Sequence, residues 1–79
     1  MNQEELERLI EINPSIMMGK PVIKGTRITV ELILERFAAG ETYDDLQVSF
    51  PNLTRRQIQA AFLFATLTLK GDSVYPIAI

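Results

Sequence analysis

The chain has 79 residues, of which 8 are lysine or arginine and 10 aspartate or glutamate, and its formal net charge is −2. Hydrophobic residues make up 47% of the sequence, within the ~45–50% usual for globular domains, which excludes a disordered tail. Because the sequence has neither cysteine nor histidine, it excludes disulfide frameworks, thiolate zinc sites, cysteine nucleophiles and histidine bases. We expect a single small domain over residues 1–79 that uses no cofactor and no metal.

The apolar runs and the first residues indicate where the protein resides. The longest uninterrupted apolar run, Ala60–Ala65, has 6 residues, far fewer than the ~20 that a membrane-spanning helix needs. The first five residues include two acids, Glu4 and Glu5, and no base, whereas a signal peptide begins with basic residues. We therefore expect a cytoplasmic protein that does not contact a membrane.

Two short elements are predicted in the first part of the chain. Leucine and isoleucine share one face at helical spacing over Glu4–Glu11, which predicts an amphipathic helix that stops before Pro14. Residues 16–28 are rich in glycine, proline and β-branched residues. This composition predicts one or two short β-hairpins rather than a helix.

Three helices of unequal length follow. Each has a threonine at its start and a stop signal at its end, since glycine favours a helix C-terminus and Pro51 disfavours helical geometry before it. The predicted N-caps are Thr29, Thr42 and Thr54, and the helices end by Gly40, Phe50 and Lys70. The last two helices begin with capping-box patterns, Thr-x-x-Asp and Thr-x-x-Gln.

These elements predict a mostly α fold. Its centre is a three-helix helix-turn-helix (homeodomain-like) core, preceded by a short β-hairpin and a short N-terminal helix. The segments of this one domain are an N-terminal segment over 1–15, the hairpin over 16–28, the core over 30–70 and an extended tail over 72–79.

Catalytic patterns are weak in this sequence. Glu31 and Glu35 would share one helix face, but no histidine or third acid accompanies them, so a solvated face explains them. The sequences around Gly19 and Gly25 lack the spacing of a phosphate-binding glycine loop. We expect that the protein is not an enzyme.

The apolar pattern around Pro51 is typical of a helix-turn-helix unit. Apolar residues lie on both sides of the short turn, at Leu46, Phe50, Leu53, Ile58 and Phe62. The first turn of the last helix is then exposed, and Arg55, Arg56 and Gln59 occupy or adjoin it. These side chains are candidate contacts to phosphates or base edges of operator DNA. The alternative is a three-helix core with a solvated arginine pair.

A second basic segment supports the same candidate. Residues 17–30 contain three cations and no acid, and Lys20 and Lys24 are candidate phosphate contacts there. The alternative is a surface on which charges of both signs are simply mixed.

The last helix carries more apolar residues than one face needs. A predicted core-facing set comprises Ile58, Ala61, Phe62, Ala65 and Leu69, and a second set, nearly opposite, comprises Ala60, Leu63, Phe64 and Leu67. We predict that one copy cannot bury both, so that Leu63, Phe64 and Leu67 contact another chain, most simply in a homodimer. The tail residues Tyr75 and Ile77 are assigned to the same interface. The alternative is that the N-terminal helix or these tail residues cover the second face within one copy.

The ten residues Gly19–Ile28, GKPVIKGTRI, resemble the core motif of the domain-of-unknown-function family 433. The sequences AAGE at the end of the first core helix and FPNLT at the following turn extend the resemblance over residues 10–67. The resemblance implies a helix-turn-helix-related fold and the role of an antitoxin, with a PIN-like nuclease toxin as the partner.

The motif also has a physical interpretation. Gly19 and Gly25 permit positive φ in tight turns, and Pro21 suits an edge position where no backbone donor is needed. Arg27 either anchors the hairpin on an acidic helix end or presents its charge outward, and we favour the anchor.

We therefore expect a small dimeric DNA-binding regulator of the antitoxin type. The alternative is a protein-interaction module, for self-association or toxin binding, that does not bind DNA. The acidic pI of about 5.0 favours this alternative, because specific DNA binders normally have a clear basic footprint.

Overall fold

A computed structural model of the protein describes residues 1–71, and the tail over 72–79 lies outside the described residues. The elements are α1 (Gln3–Leu9), β1 (Ile10–Glu11), β2 (Val22–Ile23), α2 (Val30–Ala38), α3 (Tyr43–Ser49) and α4 (Arg55–Leu69), with a 3₁₀ turn at Met17–Gly19. The predicted fold class is confirmed: three consecutive helices follow a short N-terminal helix and a short antiparallel strand pair. Over residues 1–71, none of the helices combines the length and the hydrophobicity needed to cross a bilayer.

The starts of the three core helices are those predicted, because local hydrogen bonds determine them. The Thr29 hydroxyl accepts from the first turn of α2, and capping boxes begin α3 at Thr42 and α4 at Thr54. At α4, the Thr54 hydroxyl accepts from the Gln57 N–H at 3.1 Å, while the Gln57 amide oxygen accepts from the Thr54 N–H at 2.8 Å. These two reciprocal hydrogen bonds fix the direction in which the first turn of α4 projects.

The chain turns back within the hairpin segment predicted over 16–28, with an antiparallel bridge between Val22 and Thr29, but the paired strands β1 and β2 are not the two arms of that hairpin. β1 pairs with β2 so that Ile10 lies opposite Ile23, and both side chains are fully buried. The first strand therefore comes from the end of the predicted helix Glu4–Glu11, because α1 stops at Leu9. Ile10 continues the apolar spacing of α1, and only its pairing with a residue 13 positions later distinguishes strand from helix.

A tight turn follows β2 and is called the 24–27 turn below. The Thr26 N–H and hydroxyl both donate to the Ile23 carbonyl, at 3.0 and 2.7 Å, and the hydroxyl accepts from the Ile28 N–H at 3.0 Å. Gly25 has φ of +81°, a conformation that side chains with a Cβ rarely adopt. The prediction of positive φ at Gly25 is thus confirmed, and the turn is closed by three bonds.

The connection before β2 has an unusual backbone. Met17, Met18 and Gly19 have φ of +48°, +56° and +81°, so three successive residues adopt left-handed conformations. Positive φ was predicted for Gly19 alone, since a residue with a Cβ reaches this region at a cost of about 1–2 kcal/mol. Pro21 follows directly before β2, and its carbonyl accepts from the Val30 N–H at 2.9 Å, which joins this connection to the start of α2.

Helix α4 packs against the rest of the core. The core residues are Leu6, Ile10, Ile23, Val30, Ile33, Leu46, Leu53, Ile58, Ala60, Ala61 and Phe64. The four that belong to α4 cover one arc of about 160° at 3.6 residues per turn, and α1, β1 and α2 pack against α4. They come from both predicted faces, so one copy buries Ala60 and Phe64 of the second set, while the contact of Leu63 and Leu67 with another chain stays a prediction.

The other members of the two predicted faces lie at the edges of this arc. Leu63 and Leu67 are half-buried and pack against the core. Phe62 and Leu69 were predicted to face the core, but both are exposed. Phe62 lies beyond the edge of the arc, and Leu69 is the last residue of α4, where the packing of the helix on its neighbours ends.

We expect Ile58→Ala to destabilise the protein by about 2–5 kcal/mol, because it opens a cavity in a fully buried position. That loss is a large part of the ~5–15 kcal/mol typical of small domains. Val48→Ala is the control, since this α3 side chain is 82% exposed, and it should change stability by less than about 0.5 kcal/mol. Urea unfolding followed by circular dichroism measures both, and equal midpoints would contradict the assigned core.

Candidate nucleic-acid interface at the start of helix α4

The connection between α3 and α4 is held at both ends. The Leu53 side chain is buried, and its N–H donates to the Phe50 carbonyl at 2.9 Å. The Gln47 amide nitrogen donates to the Leu53 carbonyl at 3.3 Å, which ties the turn back to α3. Together with the capping box at Thr54, these bonds present the first turn of α4 at the surface in one orientation.

Arg55 is the first residue of α4, and its side chain is exposed. Its guanidinium lies 4.5 Å from the centroid of the Tyr43 ring, in cation–π geometry. Within residues 1–71 it makes no ion pair, so its N–H groups remain available to an anion. This role of Tyr43 is not predictable from the sequence, because nothing in the local pattern links the start of α3 with the start of α4.

Arg56 makes a bidentate ion pair with Glu5 of α1. The Arg56 Nε and Nη2 atoms lie 2.6 Å from the two carboxylate oxygens, and Nη1 donates to the Gln59 amide oxygen at 3.3 Å. The hydrogen bond from Arg56 lowers the pKa of the Glu5 carboxyl, and the hydrogen bond to Glu5 raises the pKa of Arg56 above its ordinary value. The pair joins residues 51 positions apart, which no spacing in the sequence indicates.

Lys20 is also engaged within the chain. Its ammonium lies 2.7 Å from a carboxylate oxygen of Glu31 in the first turn of α2, and the hydrogen bond to Glu31 raises the pKa of Lys20. The pair supports the connection before β2 from the side of α2. Of the two lysines predicted to contact phosphates, only Lys24 is exposed without an ion pair among residues 1–71.

Arg27 does not have the anchoring role that we favoured from the sequence. Its side chain is exposed, and within residues 1–71 it makes neither an ion pair nor a side-chain hydrogen bond. The hairpin needs no such anchor, because the Thr26 hydroxyl already closes the 24–27 turn. The other role considered for Arg27, a charge presented outward, fits this position.

A groove separates the 24–27 turn from the start of α4 and is called the turn groove. It encloses about 470 Å³ and is lined by Gly25, Thr26, Ile28, Ser49, Phe50, Pro51, Asn52, Leu53 and Gln57. Arg36 of α2 supports its far edge, since its Nη2 atom donates to the Ser49 hydroxyl at 2.8 Å and to a Glu41 carboxylate oxygen at 2.8 Å. The groove therefore has polar donors and apolar walls, and none of its lining residues within 1–71 is charged.

The residues predicted to form an interface between chains do not line the turn groove. Phe64 is 7% exposed and belongs to the core of one copy, so it has little surface to offer a partner. Leu63 and Leu67 are half-buried, and Tyr75 and Ile77 lie outside the described residues. The exposed apolar surface of α4 instead includes Leu69 at its end and Phe62, whose ring packs edge-on against Phe37 at 5.1 Å.

Comparison with known proteins identifies the family. Residues 10–65, more than half of the chain, match the family described as "Protein of unknown function (DUF433)". The chain belongs to the DUF433 family. The resemblance stated from the GKPVIKGTRI motif over residues 10–67 is thereby confirmed. The family description assigns no activity, so function has to be argued from the residues themselves.

Two relatives place this DUF433 protein among known chains. The uncharacterized protein y4eO of Sinorhizobium fredii is 30% identical over 57 residues, which are 72% of this chain and 26% of that protein, so this chain spans about a quarter of its relative. The crystal structure of a DUF433 member from Anabaena variabilis is 25% identical and superposes with a TM-score of 0.76, covering 86% of this chain and 67% of that one. All lining residues of the turn groove lie within the matched residues 10–65, whereas Glu5 lies before them.

We expect the Glu5–Arg56 pair to make the stability of this DUF433 protein depend on pH. The pKa of the Glu5 carboxyl is lowered from its ordinary value of 4.5, so the folded state binds this proton less readily than the unfolded state. The stabilising contribution is fully present above pH 4.5 and is lost as the pH falls through the lowered pKa. Urea unfolding at neutral pH and below pH 4.5 should show a smaller acid-induced loss for Glu5→Gln than for the wild type.

The control for this measurement is Glu4→Gln, which removes a carboxylate from the same helix at an exposed position that makes no ion pair with any other residue of 1–71. It should keep the pH dependence of the wild type. If Glu5→Gln and the wild type lost stability equally on acidification, the ion pair would not contribute to the fold.

Proposed function

We propose that this protein is a DNA-binding regulator of the antitoxin type, which places the first turn of α4 against its operator. The observation that carries the proposal is the anchored turn between α3 and α4, which leaves Arg55 and Gln59 exposed at the start of a 15-residue helix. In helix-turn-helix proteins the second helix of such a pair enters the major groove with its N-terminal residues at the base edges.

The side chains have chemistry suited to this role. Arg55 and Gln59 are four residues apart and share one face of α4, so they would meet neighbouring positions of the DNA. A guanidinium pairs in bidentate fashion with guanine or with a phosphate, and a glutamine amide pairs with adenine. The Tyr43 ring beneath Arg55 limits the orientations of the guanidinium, which reduces the entropy lost on binding.

Arg56 needs a change of partner to take part. Both carboxylate oxygens of Glu5 accept hydrogen bonds from the Arg56 guanidinium, and a DNA phosphate would have to displace them. The exchange replaces one anion by another, so its net gain is small compared with that of a free arginine. We therefore assign the main contacts to Arg55 and Gln59 and an auxiliary contact to Arg56.

The antitoxin role adds a protein partner to the proposal. The family resemblance implies a PIN-like nuclease toxin, and coexpression with the product of the adjacent gene, followed by purification through a tag on that product, tests the pair. A stable complex of the two chains is expected. Recovery of the tagged nuclease alone would contradict the antitoxin role and leave DNA binding as a separate question.

For DNA binding, we expect Arg55→Ala to weaken binding to the DNA upstream of the protein's own coding region by about 1–3 kcal/mol. Fluorescence anisotropy at low salt, where phosphate contacts are strongest, gives the affinity. Lys70→Ala is the matched control, because it removes the same charge at the opposite end of α4, about 22 Å away, and should leave the affinity unchanged. Failure of the wild type to bind at low salt would refute the proposal.

Self-association is a second candidate function, favoured by the apolar surface between α2 and α4. A recess of about 290 Å³ lies there and is lined by Pro21, Val30, Glu31, Leu34, Phe64, Ala65, Thr68 and Leu69. Leu69 is 88% exposed at its rim. A projecting apolar side chain beside an apolar recess allows two copies to bind each other by the same surface, as a two-fold symmetric contact requires.

We expect light scattering to give the mass of a dimer for the wild type and of a monomer for Leu69→Glu, because a buried carboxylate would face the apolar recess. Val48→Glu introduces the same charge at an equally exposed apolar position on α3 and should remain dimeric. A monomeric wild type, or a Leu69→Glu variant of unchanged mass, would contradict this second function.

A further inference from the structure

The cations of the described chain divide into two groups. Lys20, Arg36 and Arg56 are each bound to a carboxylate, at Glu31, Glu41 and Glu5. The cations without an ion pair among residues 1–71 are Arg8, Lys24, Arg27, Arg55 and Lys70. Two of these belong to the 24–27 turn, and Arg55 belongs to the first turn of α4. Three of these five unpaired cations thus lie on the two elements that border the turn groove.

The turn groove itself is suited to an anion. None of its lining residues is acidic, and Arg27 stands between Thr26 and Ile28, both of which line it. On the opposite bank, the amide nitrogens of Asn52 and Gln57 have no acceptor within residues 1–71, because the Gln57 capping bond uses its amide oxygen. Donors inside the groove and cations on the elements beside it match a ligand that carries negative charge and several acceptor oxygens.

The bank formed by the 24–27 turn is rigid enough to position its cations. The Thr26 hydroxyl bonds the turn on both sides, and the Lys24 N–H donates to the Leu9 carbonyl at 2.9 Å, so the backbone is tied to α1 as well. At Gly25, a Cβ would meet no atom within 4 Å, so the crest of the turn is open to a ligand. Lys24 and Arg27 are both exposed on either side of this crest.

We propose that the turn groove receives the phosphate backbone of DNA, with Lys24 and Arg27 as phosphate contacts on one bank and Asn52 and Gln57 as amide donors on the other. The inference rests on the proposed function and extends it to Arg27 and to the groove. The groove is lined by Leu53 and Gln57, which precede and follow Arg55 in the chain, so it adjoins the first turn of α4, and a DNA strand that meets this turn passes beside the groove. This continuity favours DNA over an acidic peptide, which has no reason to contact both surfaces.

The experiment measures DNA affinity across a series of salt concentrations for Arg27→Ala and Lys24→Ala. Each lost phosphate contact should reduce the slope of log K against log salt by about 1. The loss of affinity should be equal for the upstream DNA and for a scrambled duplex, because phosphate contacts carry no sequence information. Arg8→Ala and Lys70→Ala are matched controls that should keep the wild-type slope.

A second readout is independent of affinity. In a titration of the labelled wild type with the same duplex, the side-chain amide resonances of Asn52 and Gln57 should shift together with the backbone resonances of the 24–27 turn.

Arg27→Lys, which keeps the charge, should retain most of the salt-dependence slope that Arg27→Ala loses.

Each contrary result has a distinct meaning. If the wild type binds DNA while Arg27→Ala and Lys24→Ala keep its affinity and slope, the inference is overturned and the proposed function stands. A loss confined to the upstream duplex would also overturn it, since it would indicate a base contact. If the wild type binds no DNA at low salt, the inference and the proposed function are both refuted. Binding of a glutamate-rich peptide that is abolished by Arg27→Ala would then assign the groove to an acidic protein partner.

Discussion

The packing of α4 against α1, β1 and α2 is the constraint on which the rest of the structure depends. A chain of this size has one small core, and α4 contributes more than a third of its residues. Because Ile58, Ala60, Ala61 and Phe64 all lie on one arc, the rotation of α4 about its axis is fixed. That rotation determines which side chains of its first turn reach the surface, so the exposure of Arg55 and Gln59 follows from core packing and not from local propensity.

The same packing decides where charge is neutralised. Burial of Leu6 brings α1 onto α4 and sets Glu5 against Arg56, while the connection before β2 brings Lys20 to the first turn of α2. Carboxylates at helix starts are stabilised by the helix dipole, which explains part of the acidic composition without reference to any partner. An acidic pI is therefore compatible with a local basic surface, because pI sums all charges, whereas DNA meets only those that face it.

Local chemistry made much of this structure predictable. The threonine caps, the capping boxes at Thr42 and Thr54, and the stop before Pro51 depend on residues within four positions of one another, and all are present. The pairing of β1 with β2, the Glu5–Arg56 pair and the stacking of Arg55 on Tyr43 depend on contacts between distant segments. The burial of Ala60 and Phe64 together with Ile58 and Ala61 depends on such contacts too, since helical spacing gives directions around the axis but not the width of the arc that neighbours cover.

The number of free cations links the two proposed functions. Each phosphate contact on duplex DNA contributes about 0.9 to the salt dependence of binding, so phosphate contacts from Lys24, Arg27 and Arg55, as proposed, would together give a slope of about 2.7 for one copy. Proteins that bind operators with strong salt dependence make roughly 6–10 phosphate contacts. One copy falls short of that range, and two copies on a symmetric site reach it, as in dimeric helix-turn-helix repressors. On the two proposals taken together, a second copy would supply the further contacts, and the apolar surface at the end of α4 lies at the opposite end of the helix from Arg55, where a partner copy would leave that residue free.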